Sequence, residues 1–191
     1  MLDRLLGRLS GGDAGTAAVE GSEMAERAAQ MLTAPTALAQ LTPAEARKIV
    51  RYMQPHRVSE GVTFIKEGDA RRTDFMMLVL DGEVSVEAVV VSRTEPITVT
   101  VLGPGSLIGE MGLLDGEPRS ASCTALSPLR CALLTRSALA KLLDDDPLTA
   151  AKLLMAVSLR IAERLRDAAD KLKMYAQLTQ AMQHEINKLS P

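Results

Sequence analysis

The last 45 residues carry the pattern that most restricts the fold, because they predict one helix too long for a small domain to cover. From Pro147 to about Leu189 a heptad repeat runs without a charge at any of its eleven seam positions. These positions are Ser158, Leu165, Leu172, Thr179 and Ile186 in one set, and Leu154, Ile161, Ala168, Tyr175, Met182 and Leu189 in the other. Such a helix is about 65 Å long at 1.5 Å per residue. Packing on its own domain would cover only the first few turns, so the seam predicts a homodimer through a two-helix coiled coil.

The region from His56 to Thr135 has a different pattern, with apolar residues at a period of two. Its β-rich runs are VTFIKEG, DFMMLVLDGEVSVEAVVV, PITVTVLGPG, SASCTAL and LRCALLTR. Strands spaced near ten residues apart, with glycines at the corners, predict a β-barrel or roll. Helices are predicted on both sides of it: one after the capping signal Thr42-Pro43-x-Glu45, and a short one over 137–143. The predicted fold is therefore α+β, a jelly-roll-like β-roll flanked by helices and followed by the long dimerisation helix.

Three regions follow from these patterns: 1–38, the β-roll domain at 39–146, and the coiled-coil helix at 147–191. In the first, Leu2, Leu5, Leu6 and Leu9 share one helical face. The stretch GGDAGTAAVEGS then reads as a flexible linker, and SEMAERAAQMLT as a short helix. The leucine face either docks on a partner or on the protein itself, or belongs to a frayed helix. Membrane binding is only weakly supported on so short a helix.

Composition excludes several classes of protein. The net charge is −2, from 22 basic and 24 acidic residues, so the basic excess typical of nucleic-acid binding is missing. No apolar run approaches the roughly 20 residues of a membrane span, and no secretion signal is evident, which predicts a cytoplasmic protein. The two histidines, His56 and His184, do not form a catalytic or metal-binding cluster. We therefore expect no enzyme activity, no metal and no cofactor.

The two cysteines agree with the expected cytoplasmic location. Cys123 and Cys131 lie in neighbouring predicted strands that meet at Ser127-Pro128. A two-residue turn there would place the two thiols on opposite faces of a hairpin. Buried structural thiols are therefore expected rather than a disulfide, in keeping with a reducing compartment.

The stretch LIGEMGLLDGEPRSAS, residues 107–122, contains the side chains predicted to bind a ligand. A short helix beginning near Gly109 would direct free backbone N–H groups at an anion such as a phosphate. Arg119 can hold two phosphate oxygens with its planar guanidinium, and Ser120 can add a hydroxyl. Glu110 would be repelled by a phosphate unless a sugar hydroxyl donates to it. The spacing alone also allows a surface Glu–Arg pair worth at most about 1 kcal/mol.

This stretch resembles the phosphate-binding cassette of cyclic nucleotide-binding domains, specifically those of the catabolite-activator (Crp/Fnr-like) family. The resemblance rests on Ile108-Gly109-Glu110 followed by Arg119-Ser120-Ala121, and extends over about residues 40–170. It implies that Glu110 binds the ribose 2′-hydroxyl and that Arg119 and Ser120 bind the cyclic phosphate. The amides of Gly109 and Met111 would contact phosphate or ribose. The predicted ligand-binding residues are Leu107, Ile108, Gly109, Glu110, Met111, Arg119, Ser120 and Ala121.

The sequence departs from the family pattern in two places. The DNA-reading helix-turn-helix of that family has no counterpart in the heptad stretch, so direct DNA binding is not expected. Ala168 and Ala169 occupy the positions predicted to face the base, where family members carry a Thr-Ser pair; the nearest hydroxyls are those of Ser158 and Thr179. The expected ligand is thus cAMP first, cGMP close behind, and a cyclic dinucleotide third.

The expected function is that of a homodimeric sensor that signals through an unidentified partner protein. The alternative is a non-sensing dimeric scaffold with an unused nucleotide pocket.

Overall fold

The structure, a computed structural model, describes residues 17–88 and 97–189. The Leu2–Leu9 segment lies outside these residues. The described helices are α1 (Ala17–Leu32), α2 (Pro43–Val50), α3 (Glu110–Asp115), α4 (Arg136–Asp145) and α5 (Pro147–Leu189). The described strands are β1 (Gln54–Val58), β2 (Thr63–Ile65), β3 (Phe75–Asp81), β4 (Val84–Ala88), β5 (Ile97–Leu102), β6 (Leu107–Ile108), β7 (Ser122–Ala125) and β8 (Leu129–Thr135).

The strands form two antiparallel four-stranded sheets, and this β-roll with its flanking helices confirms the predicted α+β fold. The first sheet has the strand order β1-β8-β3-β6 and the second the order β2-β7-β4-β5. Sequence reasoning found six of the eight described strands but missed β1 and the two-residue β6. These two pair with β8 and β3, respectively.

Strand β3 lies at the centre of the packing, with both faces buried. Met76, Leu78 and Leu80 face the helices and contribute to an outer core with α1, α2, α4 and the start of α5. Phe75, Met77 and Val79 alternate with them and point between the two sheets. A strand covered on both sides reads as a continuous apolar run, as FMMLVL does.

The predicted cysteine hairpin is wrong. The chain crosses from one sheet to the other at Ser127-Pro128, so β7 pairs with β2 and β4 while β8 pairs with β1 and β3. Cys123 and Cys131 therefore both point into the core between the sheets. The expectation that they are buried free thiols is confirmed.

The N-terminal side of the domain differs from the sequence prediction in one segment and matches it in another. Residues 17–22, read as linker, belong to α1, because this helix packs against α2 and β3. Helix α2 begins as predicted: Thr42 accepts a hydrogen bond from the Glu45 amide at 3.3 Å, and its own amide donates to the Glu45 carboxylate at 2.9 Å. Pro43 occupies the first turn.

Helix α5 runs for 43 residues, with the bounds that the heptad pattern predicts. Its first part, 147–161, packs on the domain through Ala150, Leu153, Ala156 and Val157, each at most 1% exposed. Three polar contacts tie this end of the molecule to the α2 region: Lys48 to Asp146 at 2.7 Å, Tyr52 to Asp145 at 2.9 Å, and Lys152 to Glu45. No helix in the described ranges is long and apolar enough to span a bilayer.

Candidate functional site

The site begins where β6 ends and α3 starts. Leu107 and Ile108 pair with Leu78 and Met77 of the buried β3, which fixes the position of the following turn. Gly109 then caps α3 with φ of 79°, in the left-handed region that glycine adopts at little cost. The turn directs the first residues of α3 toward the segment 117–121.

Two glycines leave the space that the Arg119 guanidinium occupies. A Cβ at Gly109 or at Gly112 would lie 2.7 Å from Arg119 Nη1, closer than side-chain carbons are found to their neighbours. The same Cβ atoms would also approach the carbonyl oxygens of Phe75 and Thr73. The spacing Gly-x-x-Gly in GEMG is thus explained by the arginine that follows it by several residues.

Arg119 is held by backbone rather than by a carboxylate. Its Nε donates to the carbonyl of Arg72 at 3.0 Å, and its Nη1 and Nη2 donate to those of Gly109 and Phe75 at 2.9 and 3.0 Å. The guanidinium also lies 4.4 Å from the centre of the Phe75 ring. Only 6% of the residue is exposed, and this burial lowers its pKa. A guanidinium carries five N–H groups, so two remain for a ligand.

Glu110 forms a buried ion pair with the long helix. Its side chain accepts a hydrogen bond from Arg164 Nη1 at 2.5 Å, and only 3% of the residue is exposed. Arg164 Nη2 donates to the Leu107 carbonyl at 2.8 Å, so one side chain of α5 contacts both β6 and α3. Glu110 and Arg119 are therefore not a surface pair: both are buried, and each has its own partner.

The far end of α3 is held by a third arginine. Arg136, at the start of α4, donates from Nη2 to the Gly112 carbonyl at 2.7 Å and from Nε to the Leu113 carbonyl at 3.0 Å. The Gly112 carbonyl also accepts from the Gly116 amide at 3.0 Å, so Arg136 adds a second donor there, while at Leu113 it contacts a carbonyl of the last turn, where intrahelical partners run out. Short as it is, α3 is thus fixed at both ends by arginines from elsewhere in the chain.

These elements enclose a pocket of about 170 Å³. All eight residues predicted to bind the ligand line it: Leu107, Ile108, Gly109, Glu110, Met111, Arg119, Ser120 and Ala121. Ile65, Val86 and Leu102 add an apolar wall, and Arg164 borders the pocket from α5. Ala168 and Ala169, one turn further along α5, are not among the residues that line it within a single chain.

The lining of this pocket combines charged, hydroxyl and thiol side chains. Cys123 lines it, but burial raises the pKa of this thiol to about 12, which keeps it protonated. Among the described residues no group of histidine, cysteine and acidic side chains could hold a metal ion. A buried carboxylate, a buried guanidinium and an exposed hydroxyl are suited to binding a polar ligand.

Sequence reasoning missed Arg164, and the sequence holds little that could have found it. The residue lies 54 positions after Glu110 and outside the cassette pattern. The one available signal is indirect: a carboxylate that lies beside a buried strand requires a counter-ion. The chain offers many basic residues, and only the packing of α5 on the roll selects this one.

Comparison with known proteins agrees with this geometry. Residues 55–146 match the model of the family described as "Cyclic nucleotide-binding domain". The chain is 33% identical over 128 residues to the cyclic AMP receptor protein of Thermus thermophilus and 26% identical over 128 residues to the CRP-like cAMP-activated global transcriptional regulator of Mycobacterium tuberculosis. Each match covers 67% of this chain and 56% of the relative, so the chain spans little more than half the length of these proteins.

A solved structure supports the same assignment. A cyclic nucleotide-binding domain from Methylobacillus flagellatus superposes with a TM-score of 0.69 at 29% identity, covering 80% of this chain and 84% of that one. The β-roll, the glycine-capped turn and the pocket that it borders agree with the sequence match. Residues 55–146 therefore belong to the cyclic nucleotide-binding domain family, and the chain is related to the CRP-like regulators.

Proposed function

We propose that this protein is a homodimeric sensor that binds a cyclic mononucleotide, cAMP first and cGMP second, in the pocket beside α3. One observation carries the proposal: a buried carboxylate and a buried guanidinium with two unused N–H groups line the same small pocket. Glu110 is paired with Arg164, whereas the described contacts of Arg119 are to carbonyl groups and give its buried charge no counter-ion. The resemblance gives each a use, with Glu110 accepting from the ribose 2′-hydroxyl while Arg119 and Ser120 bind the cyclic phosphate.

The signal leaves the pocket through Arg164. A ribose hydroxyl that donates to Glu110 competes with, or joins, the Arg164 guanidinium at the same carboxylate. The balance between these contacts differs between the free and bound protein, and such a difference is what a ligand needs in order to shift a conformational equilibrium. Because Arg164 belongs to α5, the shift reaches the long helix without a further intermediary.

The long helix provides the surface through which two copies of the chain associate. Beyond residue 161 its large apolar side chains are exposed, among them Leu165 at 69% and Leu172 at 68%. A second copy of the same stripe would cover them in a coiled coil and would place the partner's α5 beside the pocket. Ala168 and Ala169 would then face the base from α5. The buried thiols fit a cytoplasmic location, and the output passes to a partner protein rather than to DNA or to a catalytic step.

The first test is calorimetric titration of the purified protein with cAMP, cGMP and cyclic di-GMP. Binding of one mononucleotide at micromolar concentration or tighter is expected, with cyclic di-GMP weaker. Arg119→Ala removes a buried charge-assisted contact, worth roughly 2–5 kcal/mol, so affinity should fall at least about thirty-fold. Ser120→Ala should weaken binding by a smaller factor without disturbing the three carbonyl contacts of Arg119. Arg166→Ala, an exposed arginine on α5, is the matched control and should bind normally.

The alternative is a dimeric scaffold with an unused pocket. Absence of heat with all three nucleotides, in a protein that is folded and dimeric, would favour the scaffold. Binding that survives Arg119→Ala and Ser120→Ala together would place the nucleotide elsewhere on the protein. Binding weakened in both variants, more in Arg119→Ala than in Ser120→Ala, while the control binds normally would support the sensor.

A further inference from the structure

A second cavity lies on the other side of the first sheet and shares no lining residue with the pocket at α3. Its volume is about 400 Å³. Leu80 and Ala132 of the sheet line it, together with Met24 and Ala25 of α1 and Met53 after α2. Nine of its thirteen lining residues are apolar, so its body suits an apolar group. Small-molecule sites commonly span about 300–1,000 Å³.

The polar part of this groove carries an excess of positive charge. Arg57 of β1 and Arg130 of β8 line it and stand directly opposite each other in the antiparallel register. Like charges in that arrangement are destabilising. Asp81 pairs with Arg130 at 2.9 Å, and the pKa of this carboxyl is lowered by Arg130 and further by Arg27 of α1. Asp81 therefore offsets the charge of Arg130, and no contact in the described part of the chain joins it to Arg57.

Arg57 lies exposed beside the apolar groove. Among the residues that the structure describes, no hydrogen bond or ion pair involves its side chain. An anion at this place would separate the charges of Arg57 and Arg130 and could be held bidentately by a guanidinium. The groove thus combines an apolar body with an unneutralised cationic end.

We propose that this groove binds a small amphiphilic carboxylate, with its apolar chain between α1 and the sheet and its head group on Arg57 and Arg130. The charge distribution selects this occupant over the chain's own N-terminus. In the Leu2–Leu9 segment, Arg4 and Arg8 outnumber Asp3, so the segment would bring a net positive charge to Arg57 and Arg130. The site is independent of the nucleotide pocket and does not rest on its proposed function.

The test is a calorimetric titration of the full chain with decanoate. Decanol, which has the same chain length but no charge, is the control ligand. Decanoate should bind at least tenfold more tightly than decanol. Arg57→Gln should abolish that difference, and because Arg57 is exposed the variant should fold normally. Arg166→Gln removes an exposed arginine from α5 and should leave decanoate binding unchanged. Saturating cAMP should not displace decanoate.

A second variant tests the apolar body. Ala25→Phe places a bulky side chain in the groove from α1 and should reduce decanoate binding at least tenfold while nucleotide titrations stay unchanged. The proposal is overturned if decanoate does not bind, if decanol binds as tightly, or if Arg57→Gln has no effect. It is also overturned if cAMP competes with decanoate. Binding that occurs only after Leu5→Asp and Leu6→Asp would assign the groove to the chain's own first residues.

Discussion

The two parts of α5 have the same amphipathic sequence pattern but different environments. In 147–161 the apolar face is buried in the outer core, where Leu153 is 1% exposed. In 162–189 the large apolar side chains are not covered by the rest of the described residues, and Leu172 is 68% exposed. The difference shows that one continuous helix can draw its stability from two sources. The first part depends on the roll, and under the proposed function the second depends on another copy of the chain.

Arg164 stands at the boundary between the two parts. Its guanidinium connects Glu110 and the Leu107 carbonyl to the first turn of the uncovered region. Any change at the pocket that moves Arg164 therefore acts where the helix leaves the domain. This position is suited to passing a ligand signal to the proposed dimer contact.

The largest effect is expected from Leu153→Ala in the covered part. Removing a fully buried leucine should lower the free energy of unfolding by roughly 2–5 kcal/mol, from lost apolar burial and the cavity left behind. Urea unfolding followed by circular dichroism measures this loss, which should not depend on protein concentration. Leu172→Ala is the matched variant, and its smaller loss should grow at concentrations that favour the dimer. Equal, concentration-independent losses would contradict the proposed difference between the two parts.

The next effect is expected from Arg164→Gln at the boundary. Leaving Glu110 buried without its cation should cost about 1–3 kcal/mol of unfolding free energy. With nucleotide bound, hydrogen exchange in 162–189 should slow in the unaltered protein and change little in the variant. Arg160→Gln, one turn earlier and paired with Glu163 at 3.1 Å, is the matched control. Identical ligand responses in both variants would remove Arg164 from the signalling path.

A smaller effect is expected from Leu165→Asp in the uncovered part. A carboxylate in the seam of a coiled coil is desolvated without a partner, so the dimer should dissociate at least about tenfold more readily, equivalent to about 1.4 kcal/mol. Light scattering across a dilution series measures the dissociation, and circular dichroism should show the roll intact. Met174→Asp, exposed but outside the seam, should leave the dimer unchanged. A protein that is monomeric before substitution would disprove the dimer.

The smallest effect concerns the polar contacts between α2 and the covered part. Hydrogen bonding to Lys152 lowers the pKa of Glu45 from 4.5 to about 2, and hydrogen bonding to Lys48 lowers the pKa of Asp146 from 3.8 to about 2. Both carboxyls bind protons more weakly in the folded state than in the unfolded state. Their contribution to the free energy of unfolding is therefore present above about pH 4.5 and is lost as the pH falls toward 2.

NMR titration of the carboxyl groups measures these values directly. Lys152→Ala should return the pKa of Glu45 toward 4.5. The lowered pKa of Asp81, caused first by Arg130, serves as the internal control and should not change. Titration of Glu45 near 4.5 in the unaltered protein would mean that the contact does not persist in solution.

Local patterns in the sequence were sufficient for most elements. The heptad repeat predicted the bounds of α5, and Thr42 with Glu45 predicted the start of α2. The predicted turn at Gly109 has the left-handed backbone that its glycine permits. These features depend on residues within a few positions of one another, where periodicity, capping and backbone freedom determine the conformation.

Predictions failed where distant residues decide the outcome. The hairpin expected around Ser127-Pro128 assumed that consecutive strands pair, yet β7 and β8 join different sheets. The linker expected at 17–22 is helical because α1 packs against α2 and β3. The short β1 exists because β8 lies beside it. In each case tertiary contacts overrode a weak local signal.

The sequence by itself determined most of the elements and the cassette residues, since both are encoded in the order of neighbouring side chains. Only the tertiary structure decided which charges meet: Glu110 with Arg164, Arg119 with three backbone carbonyls, and Arg57 facing Arg130 beside an apolar groove. The physical reason is that a buried charge must be matched by whatever donor or acceptor the fold brings within hydrogen-bonding distance. That partner is set by packing between segments tens of residues apart.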